Sequence, residues 1–204
     1  MNQPIRALLC SAALLSAGAA VAQAVVGQPA PALAAAGVGG KPASLDAYKG
    51  KYVVLEWTNP ECPFVGKHYN SGNMPATQKS ATSQGVVWLA VNTTDKADAT
   101  ERSRARVQSW IESKGGAPTA TLIDDGSTAR AYGARTTPHM YIVDPQGKVV
   151  YAGAIDSKPT ANPADIQTAT NFVKQALNEA MSGKPISRGT TQPYGCSVKY
   201  SNAG

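Results

Sequence analysis

Cysteine is the residue type in this chain whose placement points to covalent chemistry. Cys62 stands inside the stretch YVVLEWTNPECPFVGKHY, residues 52–69. The run Tyr52-Val53-Val54-Leu55 has the apolar continuity of a buried strand. Asn59-Pro60 breaks it, and a helix can begin from Phe64. A cysteine at a helix start meets free backbone N–H groups and the positive end of the helix dipole. Both favour the thiolate, which is the nucleophile. Trp57 and Phe64 are expected to wall such a site. Glu61 opposes thiolate formation by its charge but can accept a proton; alternatively it is a solvated first-turn acid. His68, six residues beyond Cys62, falls about 120° round a regular helix and reads as a packing or surface residue.

The remaining cysteines are Cys10 and Cys196. Cys10 lies in an N-terminal segment with the features of a secretory leader: Arg6, an apolar Ala/Leu-rich run from Ala7 to Val21, and an A-x-A site at Ala22-Gln23-Ala24. Cleavage is expected after Ala24, with export to a periplasm or the exterior. The run is too short for a good membrane span, so no membrane-spanning segment is expected after cleavage. Cys10 leaves with the leader, and Cys62 and Cys196 remain. Two cysteines in an oxidising compartment pair by default. Whether such a pair is structural or catalytic stays open at this point.

The 204 residues are 43% hydrophobic and 16% charged, as suits one globular domain with a real core. Only 6% are aromatic, so Ala and Val must fill much of the interior. The net charge of +6 is spread without runs of Lys or Arg, which excludes a nucleic-acid footprint as the first reading. There is no C-x-x-C metal pair, and no metal ligand set is assigned.

These cysteines need elements to hold them. A strand is expected to end near Trp57, followed by a helix from Cys62 to about Tyr69 and a second helical piece from Pro75 to about Gln84. Val86 to Val91 reads as a buried strand and Asn92 to Asp95 as a loop. Asp98 or Thr100 caps a helix to about Lys114, with Val107, Trp110 and Ile111 on one face. A short strand at Thr121 to Ile123 and a short helix from Ser127 to Tyr132 follow. Met140 to Val143, the turn Asp144-Pro145-Gln146-Gly147 and Val149 to Ala152 form a hairpin. Asn162-Pro163 opens a last helix running to Gly183, with Ile166, Ala169, Phe172, Val173, Ala176, Leu177 and Ala180 on its apolar face. A polar tail from Lys184 to Gly204 carries Cys196. Parallel βαβ crossovers plus a hairpin give an α/β fold, a mixed central sheet flanked by helices.

This order, with a cysteine after the first core strand and Thr137-Pro138 just before a later one, resembles the thioredoxin fold. The closest likeness is to exported redoxins related to the alkyl hydroperoxide reductase/thiol-specific antioxidant (peroxiredoxin-like) family. It rests on VGQPAP, on the Lys49-Gly50-Lys51 lead into VVLEW, on CPFVGKHY, on DPQGKVVYAG and on the PYGCSVKY tail. The resemblance implies a redoxin domain over residues 25–183 and an irregular C-terminal tail over 184–204. It implies that Thr137-Pro138 is the cis-proline element beside Cys62. Asn59 stands where thioredoxins carry the first cysteine of C-x-x-C, so no local dithiol forms. Thr58 is one place off the hydroxyl position that precedes a peroxidatic cysteine, and Arg135 is the nearest candidate for the peroxidatic arginine.

The sequence thus reads as an exported thiol–disulfide redox protein, an oxidoreductase with Cys62 as nucleophile and Cys196 as resolving cysteine. Thr137 and Pro138 align the substrate. Trp57, Asn59, Glu61, Phe64, Arg135 and His139 support it, with His139 as a proton relay or a polar neighbour. Fourteen residues from Ser182 to Cys196 can span about 45 Å, enough to fold the tail back or to reach a second subunit. The expected partners are a thiol or disulfide protein or a peroxide, together with an external thiol reductant. No organic cofactor is implied. The rivals are a copper chaperone using Cys62, Cys196 and His139, and a non-catalytic domain stapled by a Cys62–Cys196 bridge.

Overall fold

A computed structural model describes residues 24–200. The leader segment, apart from Ala24, and Cys10 with it lie outside the described residues. The main sheet has five strands in the order β3-β2-β1-β5-β6. They are β1 (Val53–Trp57), β2 (Val87–Thr93), β3 (Ala120–Asp124), β5 (His139–Val143) and β6 (Val149–Gly153). β1, β2 and β3 are parallel, while β5 and β6 run antiparallel to their neighbours. The expected α/β thioredoxin architecture is therefore present.

β1 is buried at all five positions, as a strand covered on both faces must be, and hence its unbroken apolar run. Its side chains divide between two cores. Val54 joins Trp88, Met140 and Ile142 under α1 (Pro63–Asn70), α2 (Asn73–Thr82), α3 (Glu101–Ser113) and α5 (Phe172–Met181). Val53, Leu55 and Trp57 join Leu89 and Tyr141 on the other face, with Ala129 and Tyr132 of α4 (Ser127–Tyr132). Glu56 is a fully buried carboxyl group. It accepts hydrogen bonds from Tyr69 Oη (2.8 Å), Gln78 Nε2 (2.9 Å) and Trp88 Nε1 (2.7 Å). Desolvation raises its pKa against the opposing effect of those donors.

Three expectations are corrected. β2 continues through Asn92 and Thr93, which read as loop. Asn92 Nδ2 donates to the Thr58 carbonyl, and Thr93 Oγ1 accepts from Trp57 Nε1 and donates to Asp124, so tertiary partners satisfy polar residues in a strand. Pro75 is the third residue of α2, which starts at Asn73 after Gly72 in a left-handed conformation. The last helix is two pieces, a 3-10 segment Pro163–Thr168 and α5. Asn171 caps α5 by accepting from the Lys174 N–H, and Phe172 N–H donates to the Ile155 carbonyl. These bonds turn the backbone out of the helix at residues 169–171, and Ile166 and Ala169 are only partly covered.

The tail runs beside β6. Ala152 N–H donates to the Gly189 carbonyl, and Thr191 N–H to the Ala152 carbonyl. Among its described residues the regular piece is β7 (Cys196–Ser197), which pairs antiparallel with β4 (Thr136–Thr137) in a separate two-stranded sheet.

Candidate active site

The chain leaves β1 through Thr58, whose N–H still bonds the Val91 carbonyl at 2.8 Å. Asn59 then makes a local turn. Its Oδ1 accepts from Glu61 N–H (3.0 Å) and its carbonyl from Cys62 N–H (3.0 Å). Cys62 is the N-cap of α1, with Pro63 at the first helical position. Its Sγ lies 3.0 Å from the Thr137 carbonyl oxygen, and the Thr137–Pro138 peptide is cis.

Cys62 is joined to Cys196 by a disulfide across 134 positions, with Cα atoms 6.0 Å apart. Strand pairing sets Cys196 opposite Thr137 and Ser197 opposite Thr136. Val198 N–H extends the ladder to the Arg135 carbonyl. Gly195 makes the approach possible: its φ is 133°, and a Cβ there would overlap the Thr137 carbonyl. Cys62 is 2% exposed, whereas Cys196 is half-buried. Of the two half-cystines, Cys196 is the more exposed residue.

The expected supporting residues divide. Phe64 packs edge-on to Tyr194 of the tail, centroids 5.9 Å apart, and so stands at the site. Glu61 pairs with Lys199 of the tail at 3.3 Å, both side chains being exposed. Asn59 and Glu61 also border a cleft of about 510 Å³ that reaches Thr94, Arg106 and Trp110. Trp57 is not brought to the sulfurs; it packs with Tyr132 and Tyr141 in the opposite core. His139 lies opposite Trp57 in the β1–β5 register and thus on that same face. Its Nδ1 accepts from Arg135 N–H (3.2 Å), and its ring lies 4.6 Å from that of Tyr141. Burial, aided by the Arg135 charge, lowers its pKa to about 3. Arg135 itself is exposed. Cys62, Cys196 and His139 are thus not gathered as ligands, and among the described residues no group of three or more His, Cys, Asp or Glu is placed to hold a metal ion. No described helix is long and apolar enough to cross a membrane.

A polar cluster beside the disulfide went unread in the sequence. Lys67 and Asp156 form an ion pair at 3.2 Å, with side chains 0% and 1% exposed. Tyr194, two residues before Cys196, donates its hydroxyl hydrogen to Asp156 Oδ1. His68 Nε2 lies 3.1 Å from the Tyr194 hydroxyl, and His68 Nδ1 lies 2.8 Å from Asn73 Nδ2. Because the amide nitrogen can only donate, Nδ1 accepts and Nε2 carries the hydrogen. Desolvation lowers the His68 pKa to about 4, keeping it neutral. The adjacency of Tyr194 to Cys196 was the one available signal; nothing in the spacing of Lys67 and Asp156 ties them to it.

A disulfide between a helix-start cysteine and a strand laid beside a cis-proline, next to a mixed five-stranded sheet, defines a thioredoxin-fold domain of the redoxin class. The chain belongs to the AhpC/TSA family, whose model matches residues 26–152. Among solved structures, an uncharacterized conserved protein from Geobacillus kaustophilus is similar at 26% identity and TM-score 0.72, covering 88% of this chain and 94% of its own. A hypothetical protein from Sinorhizobium meliloti 1021 matches at 23% identity and TM-score 0.66, over 88% and 96%. The thioredoxin domain of a thiol-disulfide oxidoreductase from Bacteroides vulgatus shares the fold at 20% identity and TM-score 0.50, over 71% and 96%. No curated protein matches the chain.

Proposed function

We propose that the protein is an exported thiol–disulfide redox enzyme in which Cys62 is the nucleophile and Cys196 the resolving cysteine. The observation that carries this reading is the seat of Cys196: a two-residue strand paired beside Pro138 holds it on the Cys62 sulfur. Residues 1–24 act as a leader, residues 25–183 as the redoxin domain, and 184–204 as the tail that brings the second sulfur.

In the reduced protein the Cys62 thiolate attacks an oxygen of a peroxide or a sulfur of a disulfide. The first route breaks the O–O bond, gives a sulfenic acid and releases an alcohol or water. The second breaks the S–S bond, gives a mixed disulfide and releases a thiol. The Cys196 thiolate then attacks the Cys62 sulfur, closing the bridge and expelling water or the second thiol. An external dithiol returns two electrons and two protons, attacking first at the more open Cys196 sulfur and leaving Cys62 as the thiolate. The positive end of α1 favours that leaving group.

The test uses the reduced full chain, with hydrogen peroxide and glutathione disulfide as separate oxidants. Wild type is expected to form the Cys62–Cys196 bridge with at least one of them. Cys62→Ser should not react, and Cys196→Ser should stop at a sulfenic acid or mixed disulfide on Cys62, visible by mass. A folded, reduced wild type inert to both oxidants would leave the bridge as a staple and overturn the reading.

A further inference from the structure

We propose that Lys67, Asp156 and Tyr194 form a dock that holds the Cys196 segment against α1 in the dithiol state as well as in the disulfide. This rests on the redox cycle proposed above and specifies what positions its second sulfur.

Among the described residues the tail near Cys196 makes peripheral contacts, such as the exposed Lys199–Glu61 ion pair and the Tyr200 hydroxyl donating to the Ala134 carbonyl, and two kinds that flank Cys196 directly. One kind is short strand pairing, which involves only Thr136 and Thr137 and the ladder's extension at Arg135. The other is the seat of Tyr194. Lys67 Nζ lies 5.4 Å from the centre of the Tyr194 ring and 3.4 Å from its hydroxyl. The same ammonium donates to the Lys158 carbonyl at 2.7 Å. Asp156 Oδ1 accepts from Tyr194 and also from Lys158 N–H at 3.0 Å. Among the described residues, Asp156 Oδ2 has no hydrogen-bond donor, and its counter-charge is Lys67, 3.2 Å away. The phenol oxygen in turn faces His68 Nε2, and the ring is held edge-on by Phe64.

Two fully buried charges are costly unless paired and hydrogen-bonded on every side. Tyr194 supplies one of those bonds directly, and a hydrogen bond to a charged acceptor is among the stronger kinds. Withdrawing the tail would strip that bond from Asp156 and take the Tyr194 ring from the Lys67 ammonium. None of these groups contains sulfur, so breaking the disulfide removes none of the contacts. The physical consequence is that Cys196 stays beside Cys62 after reduction. Closure of the bridge is then a local step between held groups and needs no long excursion of a free tail. Tyr194, Asp156 and Lys67 are positioning residues: they act through Cys196 and touch no substrate.

The test compares wild type with Tyr194→Phe, which keeps the ring and removes only the hydroxyl; Tyr194→Ala serves as a second, larger deletion. Amide hydrogen exchange across residues 190–200 is read in oxidised and in dithiothreitol-reduced protein. Reduced wild type should keep a tail nearly as protected as the oxidised form. In the variants, oxidised protein should retain protection, because the disulfide ties the strand. Reduced variant should lose it, with exchange about tenfold faster or more. The rate of bridge closure after Cys62 is capped by glutathione disulfide should fall in the same order. Lys184→Ala, on an exposed part of the tail, should change neither readout. A wild-type tail that loses protection on reduction alone, or variants whose reduced tails exchange like wild type, would overturn the dock. Hydrogen exchange judges the dock even in a protein that fails to react with oxidants, so the two proposals fail separately.

Discussion

A histidine sealed in a protein interior resists protonation, and His139 is such a residue. It is 4% exposed, and desolvation together with the nearby Arg135 charge takes its pKa to about 3, against about 6.5 in an unfolded chain. Below pH 6.5 the unfolded chain therefore binds a proton that the folded protein refuses until about pH 3. Stability falls as pH falls through that window. By pH 5 the loss from this residue is about 2 kcal/mol. Glu56, whose pKa is raised by burial, has the opposite slope, and His68 adds to the loss, so the useful quantity is a difference between variants. His139→Asn keeps an acceptor for the Arg135 N–H and removes the titration. Its unfolding free energy, measured in urea from pH 7.5 to pH 5, should fall less steeply than that of wild type by that amount. Parallel curves would show that His139 is protonated within the fold. At this scale the neighbourhood of Cys62 and Pro138 was legible, because Cys62 follows a strand and Pro138 precedes one. The two faces of β1 were less so: Trp57 is near Cys62 in sequence, but strand alternation sends it to the other core.

The strand β7 is two residues long and depends on Gly195. That residue holds a φ of 133° and presses its Cα side against the Thr137 carbonyl. Gly195→Ala must lift the strand or strain its backbone, at a cost of about 1–3 kcal/mol. The strain falls on the oxidised state, in which the strand cannot move away. Equilibration with dithiothreitol should then shift toward the dithiol by about tenfold. Gly39→Ala is the control: it shares a positive φ of 68° but has open space around it, and it should leave that equilibrium unchanged. An unaltered equilibrium in Gly195→Ala would mean that the strand is not held to β4 as described. Elements governed by local chemistry, such as α4 ending at Gly133 and the β5–β6 hairpin, were legible in the sequence for the same reason that they are stable locally. Elements whose ends are set by distant partners were not. Asn171 stops the last helix because Ile155 and Asp156 offer its neighbourhood better bonds, and those lie outside any sequence window.

For the whole molecule the question is what the bridge does for stability. Chain entropy alone makes a disulfide closing a loop of 134 positions worth about 5 kcal/mol. By the thermodynamic square, whatever the bridge adds to folding stability it adds equally to its own resistance to reduction; 5 kcal/mol would make it more than a thousandfold harder to reduce in the folded protein than in the unfolded chain. A static staple keeps that whole amount, and gains more if the tail falls away on reduction. A redox pair must give most of it back in the dithiol. The return comes from the Cys62 sulfur, released at the N-terminus of α1, where the thiolate is favoured; the Tyr194 dock, by keeping the tail's contacts after the bridge opens, stops the gap from growing beyond the chain-entropy amount. Urea unfolding of oxidised and reduced wild type at pH 7.5 should therefore differ by about 2 kcal/mol or less. In Tyr194→Phe the reduced protein sheds the tail's contacts while the oxidised protein still makes them, so a loss near Cys196 should appear as tail exposure and not as global unfolding. A gap of 5 kcal/mol or more in wild type would identify the bridge as structural, and the seat beside Pro138 would then serve only to anchor the C-terminus.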